Sequence, residues 1–212
     1  MSKRRVETMQ KEALIEEIVG IEWNMFDKVN NLGGRASCQD DYTTFHIMRK
    51  SQFQAWNILV LESYKNDLMT AREERRNLLT EKYAYMMEYT HADEYAKIAH
   101  VLPKVSAEKS SNIDKITQIY MRQTEQLAEE YPKYMARTRP IHAQDDRHFT
   151  SIETYLRCEL KTYSENTVKE YWNYLQELEK TGGKIAYMIC ENIAKCYGYS
   201  SLADAERGIK ER

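Results

Sequence analysis

The stretch YTTFHIMRKSQFQAWNIL, Tyr42 to Leu59, decides how the rest of the chain is read. Tyr42, Phe45, Arg49, Gln52, Trp56 and Leu59 are separated by alternating steps of three and four, the spacing of one face of an α-helix. A strand would alternate every second residue, and this segment does not. Arg49 and Gln52 stand in the middle of that seam, between aromatic residues, where a solvent-facing pair would not be placed. A buried arginine must be paired, because an unpaired charge taken out of water costs several kcal/mol. Its partner is expected to be a carboxylate, or a ligand that carries one.

Working outward, the same periodicity recurs on both sides. A first helix is expected from about Arg5 to Asn30, with Leu14, Ile18, Ile21, Met25 and Val29 at helical spacing. The connection NNLGGRASCQDD follows: glycines end one helix, Ser37 is placed to cap the next, and Asp40 and Asp41 favour its positive end. That account leaves Arg35 and Cys38 without a role. The helix through Arg49 is expected to run to about Asn57, and either ends there or continues into a third that ends near Thr90 and carries Leu61, Tyr64, Leu68, Ala71, Arg75, Leu78, Lys82 and Tyr85 on one seam. A short helix after Thr90, a long one from Ser106 to about Glu130, and a break at Tyr131–Pro132 come next. TSIE, Thr150 to Glu153, reads as a capping box for a long helix reaching Lys180. Gly182 and Gly183 end it, Lys184 to Cys196 forms another, and a polar helix or tail begins at Ser201. Seven glycines and three prolines in 212 residues are few breakers, and no internal repeat or linker interrupts the pattern. The expected fold is all-α, a single-domain bundle of roughly six to eight long helices.

Composition narrows the functional classes. Thirty-one basic and 33 acidic side chains leave a net charge of −2, which gives no electrostatic reason to expect a nucleic-acid partner. No segment approaches the ~20 apolar residues of a membrane helix. Four cysteines without C-x-x-C spacing, and no leader pattern ahead of them, read as reduced thiols of a cytoplasmic protein. Sixteen tyrosines against four phenylalanines imply either tyrosines at helix edges or a core with many internal polar contacts around a wet cavity.

Two further helices repeat the anomaly at Arg49. Glu159 falls among Tyr155, Leu156 and Tyr163, and Lys82 shares a face with leucines. Buried ion pairs of a purely structural kind explain such a pattern, and so does a shared ligand site. Metal and phosphate chemistries find less support. His142, His148, Asp145 and Asp146 share a loop without a recognised zinc spacing, there is no phosphate-binding glycine loop, and no cofactor is expected. Cys38 near a helix start has no histidine at fixed spacing to activate it.

The strings GGRASCQDDYTTFHIMRKSQFQAW, RRNLLTEKYAYMMEYT and FTSIETYLRCELKTYSENT together resemble a bacterial family known as domain of unknown function 4125, over about Ile21 to Thr181. The resemblance implies no activity. Arg49, Gln52, Lys82 and Glu159 lie inside those strings, as do Arg35, Asp40, Asp41, Glu81 and Tyr163. One reading is thus a site for a small amino-acid-like or anionic molecule. Arg35 and Arg49 would hold an acidic group, with Asp40, Asp41, Gln52 and Glu81 around it. Glu159, its pKa raised by burial, would serve as general base or ammonium acceptor, and Lys82 and Tyr163 as acids or donors, for lyase, amide-bond or transfer chemistry. The other reading is a non-catalytic helical protein whose ion pairs fix packing or a partner. On either, Arg49 and Glu159 are expected to converge. If they pair only with each other, joint apolar replacement should be tolerated.

Overall fold

The computed structural model describes residues 3–30, 34–142 and 150–210. Eleven α-helices and no strand are found among them: α1 (Lys3–Phe26), α2 (Tyr42–Gln54), α3 (Ile58–Glu73), α4 (Leu78–Thr90), α5 (Ala92–Ile98), α6 (Ala107–Glu130), α7 (Pro132–Met135), α8 (Ile152–Thr162), α9 (Glu165–Lys180), α10 (Ile185–Cys196) and α11 (Leu202–Gly208). The all-α architecture is the expected one. The helices outnumber the six to eight expected because two long segments are broken at three points where periodicity continues.

Each break has a local cause. Asn57 caps α3, its side chain accepting from the Val60 amide at 3.0 Å, so α2 stops short of it and Leu59 turns out to solvent. Arg75 takes a left-handed backbone (φ 58°) that ends α3, and Asn77 then caps α4 by accepting from the amides of Leu79 and Thr80. Arg75 is therefore exposed and does not share the apolar face of the leucines. Tyr163 and Ser164 leave the helical region, and Ser164 caps α9 through the Thr167 amide, so no single helix joins Thr150 to Lys180. Ser151 caps α8 where Thr150 had been expected to. Gly182, at φ 77°, closes α9 with its amide on the Glu179 carbonyl.

Packing divides the helices into two halves. α3 and α9 pack on each other, α3 also on α1 and α9 on α6, around the aromatic cluster Phe53, Trp56, Tyr64, Tyr163 and Tyr171. On the other side, α1 packs on α2, α2 on α10, α10 on α6, α6 on α8, α8 on α4, and α4 back on α1. Six helices thus close a ring. A cavity of about 860 Å³ occupies its interior.

Candidate functional site

The site begins with one residue of α1 that the sequence reading passed over. Glu22 is completely buried and lies on the face formed by Ile15, Ile18, Met25 and Val29. Its carboxylate receives a two-point contact from Arg49: Nε donates to Oε2 at 2.7 Å and Nη2 to Oε1 at 2.6 Å. The signal was present, because Ile15, Ile18, Glu22, Met25 and Val29 repeat the steps that flagged Arg49. The seam chosen instead, through Leu14 and Ile21, lies partly off the buried face.

Arg49 and Glu159 converge as expected. Nη1 of Arg49 lies 3.1 Å from both carboxylate oxygens of Glu159, carrying the contact from α2 to α8 across the ring. Gln52 completes the corner, accepting from Arg49 at 2.8 Å and donating to Glu159 at 2.9 Å. From the aromatic side, Tyr64 donates to Glu22 at 2.5 Å and Tyr163 to Glu159 at 2.6 Å. From the cavity side, the Lys82 ammonium reaches Glu159 at 3.4 Å and donates to the Tyr155 hydroxyl at 2.7 Å. The network is a wall with a dry aromatic face and a cavity face. Arg49, Gln52, Lys82, Tyr155 and Glu159 line the cavity, while Tyr163 stands behind them in the core.

This geometry corrects the proton chemistry expected of Glu159. Burial alone pushes its pKa up, but the charges of Arg49 and Lys82 and the donors Tyr163 and Gln52 outweigh burial and hold it well below the usual carboxylate range. A carboxylate so held is a poor general base, and its lone pairs are occupied. Arg49 is correspondingly held more firmly protonated, burial being opposed by Glu159 and Glu22. Tyr163 is pushed far above its ordinary value, first by burial and then by Glu159, so it serves as a fixed donor to that carboxylate. Tyr155, pushed up to about 12 by burial and the charge of Glu159, keeps its proton at neutral pH. Sequence reasoning placed Tyr155 only as a core residue, since nothing in its spacing separates a cavity-facing tyrosine from a packed one.

The remaining expected site residues are dispersed. Arg35 is exposed, bonded to Asp27 at 2.7 Å, to Asp40 at 2.8 Å and to the carbonyls of Asp27 and Gln39. Neither Arg35 nor Asp40 lines the cavity: they tie the α1–α2 connection from outside. The buried member of that connection is Gln39, which donates to the carbonyls of Phe26 and Val29 and accepts from the Ala36 amide. Asp40 ends a short 3₁₀ turn, Ser37–Asp40, and Asp41, not Ser37, caps α2 through the Thr44 amide at 2.9 Å. Asp41 and Cys38 stand on the cavity wall. Glu81 turns away from its neighbour Lys82 to a two-point contact with Arg76, at 2.8 and 2.9 Å. His142 bonds Glu125 and Glu153, whereas His148, Asp145 and Asp146 lie outside the described residues. None of the four cysteines forms a disulfide among the described residues.

Residues 12–207 match the family described as "Protein of unknown function (DUF4125)", and the chain belongs to it. No curated protein and no solved structure matches the chain. Among the described residues, no helix is long and apolar enough to cross a membrane.

Proposed function

We propose that this DUF4125 member binds a small organic anion in the ring cavity, with the acidic group of the ligand at Lys82 and Tyr155. One observation carries the reading: at the polar wall the acceptors are occupied while donors are left over. Both oxygens of Glu159 and both of Glu22 already accept hydrogen bonds. Lys82, 2% exposed, donates to Tyr155 and Glu159 and lies over the rings of Tyr83 and Tyr155, so that one of the three N–H donors of its ammonium has no hydrogen-bond acceptor among the described residues. Tyr155 accepts from Lys82, shares a hydrogen bond with Tyr83 and stays protonated at neutral pH. A ligand rich in acceptors, a carboxylate or phosphate, fits that surplus, whereas the ammonium of an amino acid would have to compete for the oxygens of Glu159 and Glu22 with the donors already on them. Arg137 and Arg139, exposed at the cavity rim, add positive charge along the way in.

The acid/base roles first expected for Glu159 and Tyr163 lose support, because one is held ionised and the other lies behind the wall. The reading favoured is therefore binding, with Arg49, Glu22 and Glu159 positioning Lys82. The balance of two buried acids against two buried bases also suits the second reading, in which the network fixes helix packing alone. Thermal-shift titration with benzoate and with benzamide separates them. The charged compound should raise the melting temperature with concentration, the uncharged one should not, and Lys82→Met should abolish the difference. Equal shifts from both compounds, or none from either, would leave only the packing role.

A further inference from the structure

The cavity is larger and more apolar than an acidic headgroup requires. Protein interiors leave few voids beyond the size of a water molecule, whereas ligand sites occupy ~300–1,000 Å³ with mainly apolar walls. At about 860 Å³ the ring interior belongs to the second group. Its shape follows from one helix. Ala186, Ile189, Cys190, Ile193, Ala194 and Tyr197, all on the cavity wall, form a single stripe that runs the length of α10. At 1.5 Å per residue that stripe is about 16 Å long. It carries no charged side chain, and burial pushes the Cys190 thiol up to about 12, which keeps it neutral. Leu127 of α6 and Leu156 of α8 supply apolar wall on neighbouring helices of the ring.

An elongated apolar trough with hydrogen-bond donors at one polar wall matches one shape of molecule. We infer that the ligand is a single-chain acyl acid, its carboxylate at Lys82 and Tyr155 and its alkyl tail lying along the inner face of α10. This inference rests on the anion-binding reading above and adds the substrate class to it. The opposing chemistry is specific. A compact polar anion would leave Cys190, Ile193 and Tyr197, the members of the stripe that protein does not close off, uncovered, and a neutral hydrocarbon would offer no acceptor to the remaining N–H of Lys82.

The test is a chain-length series of straight-chain carboxylates from acetate to hexadecanoate, below their micelle concentrations, by calorimetric titration against the full chain. Hexadecanol and hexadecyl phosphate serve as head-group controls. Affinity should rise about three- to fourfold per methylene, as burial of each CH₂ predicts, and stop rising once the trough is filled. The alcohol should bind at least tenfold more weakly than the acid. Ile193→Trp should lower the length at which the rise stops, and Ile193→Ala should not. If Ile193→Trp does not fold, the wild-type series decides alone. Binding of short carboxylates with no dependence on length would overturn the acyl assignment and leave the anion site standing. An alcohol that binds as well as the acid would overturn the anion site itself, and with it this inference. Absence of binding across the whole series would also overturn the acyl assignment.

Discussion

Arg49 meets two carboxylates, and the second of them changes what its removal should do. Had Arg49 and Glu159 paired only with each other, replacing both by apolar residues would be close to neutral. Glu22, fully buried and held by two of the guanidinium nitrogens, makes that outcome unexpected. Arg49→Met should cost about 3–5 kcal/mol in urea unfolding, since it strands buried acids. Arg49→Met with Glu159→Leu should remain destabilised by a similar amount, because Glu22 is still stranded. Adding Glu22→Leu should recover the part of the loss that comes from the stranded acid, while Lys82, deprived of Glu159, keeps the triple variant below the wild type. A stable double variant would contradict the shared role of Arg49. The same residues set a pH dependence. Glu159 has a folded-state pKa held below its ordinary 4.5, so its contribution is complete above that value and is lost as pH falls below it. Urea midpoints measured from pH 7 to pH 3 should drop at the acid end, and the drop should be shallower in Glu159→Gln. The conflict between residue type and seam position made Arg49, Gln52, Lys82 and Glu159 legible in the sequence. Glu22 gave the same signal and was passed over for a neighbouring seam, and Tyr155 gave none.

At the scale of elements, periodicity reported helices faithfully and reported their ends poorly. Hydrophobic spacing continues across Trp56–Asn57 and Arg75–Asn77, where caps and one left-handed arginine interrupt the backbone. Asparagine at a helix start is a known cap, but an arginine in the left-handed region follows from tertiary packing and carries no local sign. The α1–α2 connection shows a related displacement of roles. Its glycines, arginine and paired aspartates drew attention, yet the group that ties it to the core is Gln39, whose amide closes two carbonyls at the end of α1. Gln39→Leu should therefore cost about 1–3 kcal/mol per carbonyl left buried without a donor. Arg35→Ala, which removes only exposed contacts, should cost far less. Chemical denaturation of the two variants side by side checks the order, and an Arg35 effect equal to that of Gln39 would place the tie outside the core.

Across the whole molecule, the wall of Arg49, Glu22 and Glu159 separates two kinds of interior. On one side Trp56, Tyr64, Tyr163 and Tyr171 pack ring against ring, with centroids 4.6 to 6.0 Å apart. On the other side the ring helices enclose a cavity that Tyr171 also reaches, and the atoms lining it lack partners across the gap. Local stability follows the density of buried apolar contacts, so the two halves should not open together. Amides of α3 around Leu61 and Leu68, and of α9 around Tyr171 and Leu175, all but closed to solvent, should exchange with deuterium only through global unfolding. Amides of α10 around Ile189 and Ile193, and of α8 around Tyr155, should exchange through a smaller opening and show a weaker dependence on denaturant. Native-state exchange followed by mass spectrometry of peptides from each helix measures the difference. Uniform protection across α3, α8, α9 and α10 would mean that the ring is as rigid as the aromatic half. The ordering reflects a cost that a ligand-ready cavity imposes on the fold: the ring helices that border it give up contacts that the aromatic half keeps, and Arg49 and Gln52 of α2, both bonded to Glu159 of α8, tie the two sides of the ring together at that level.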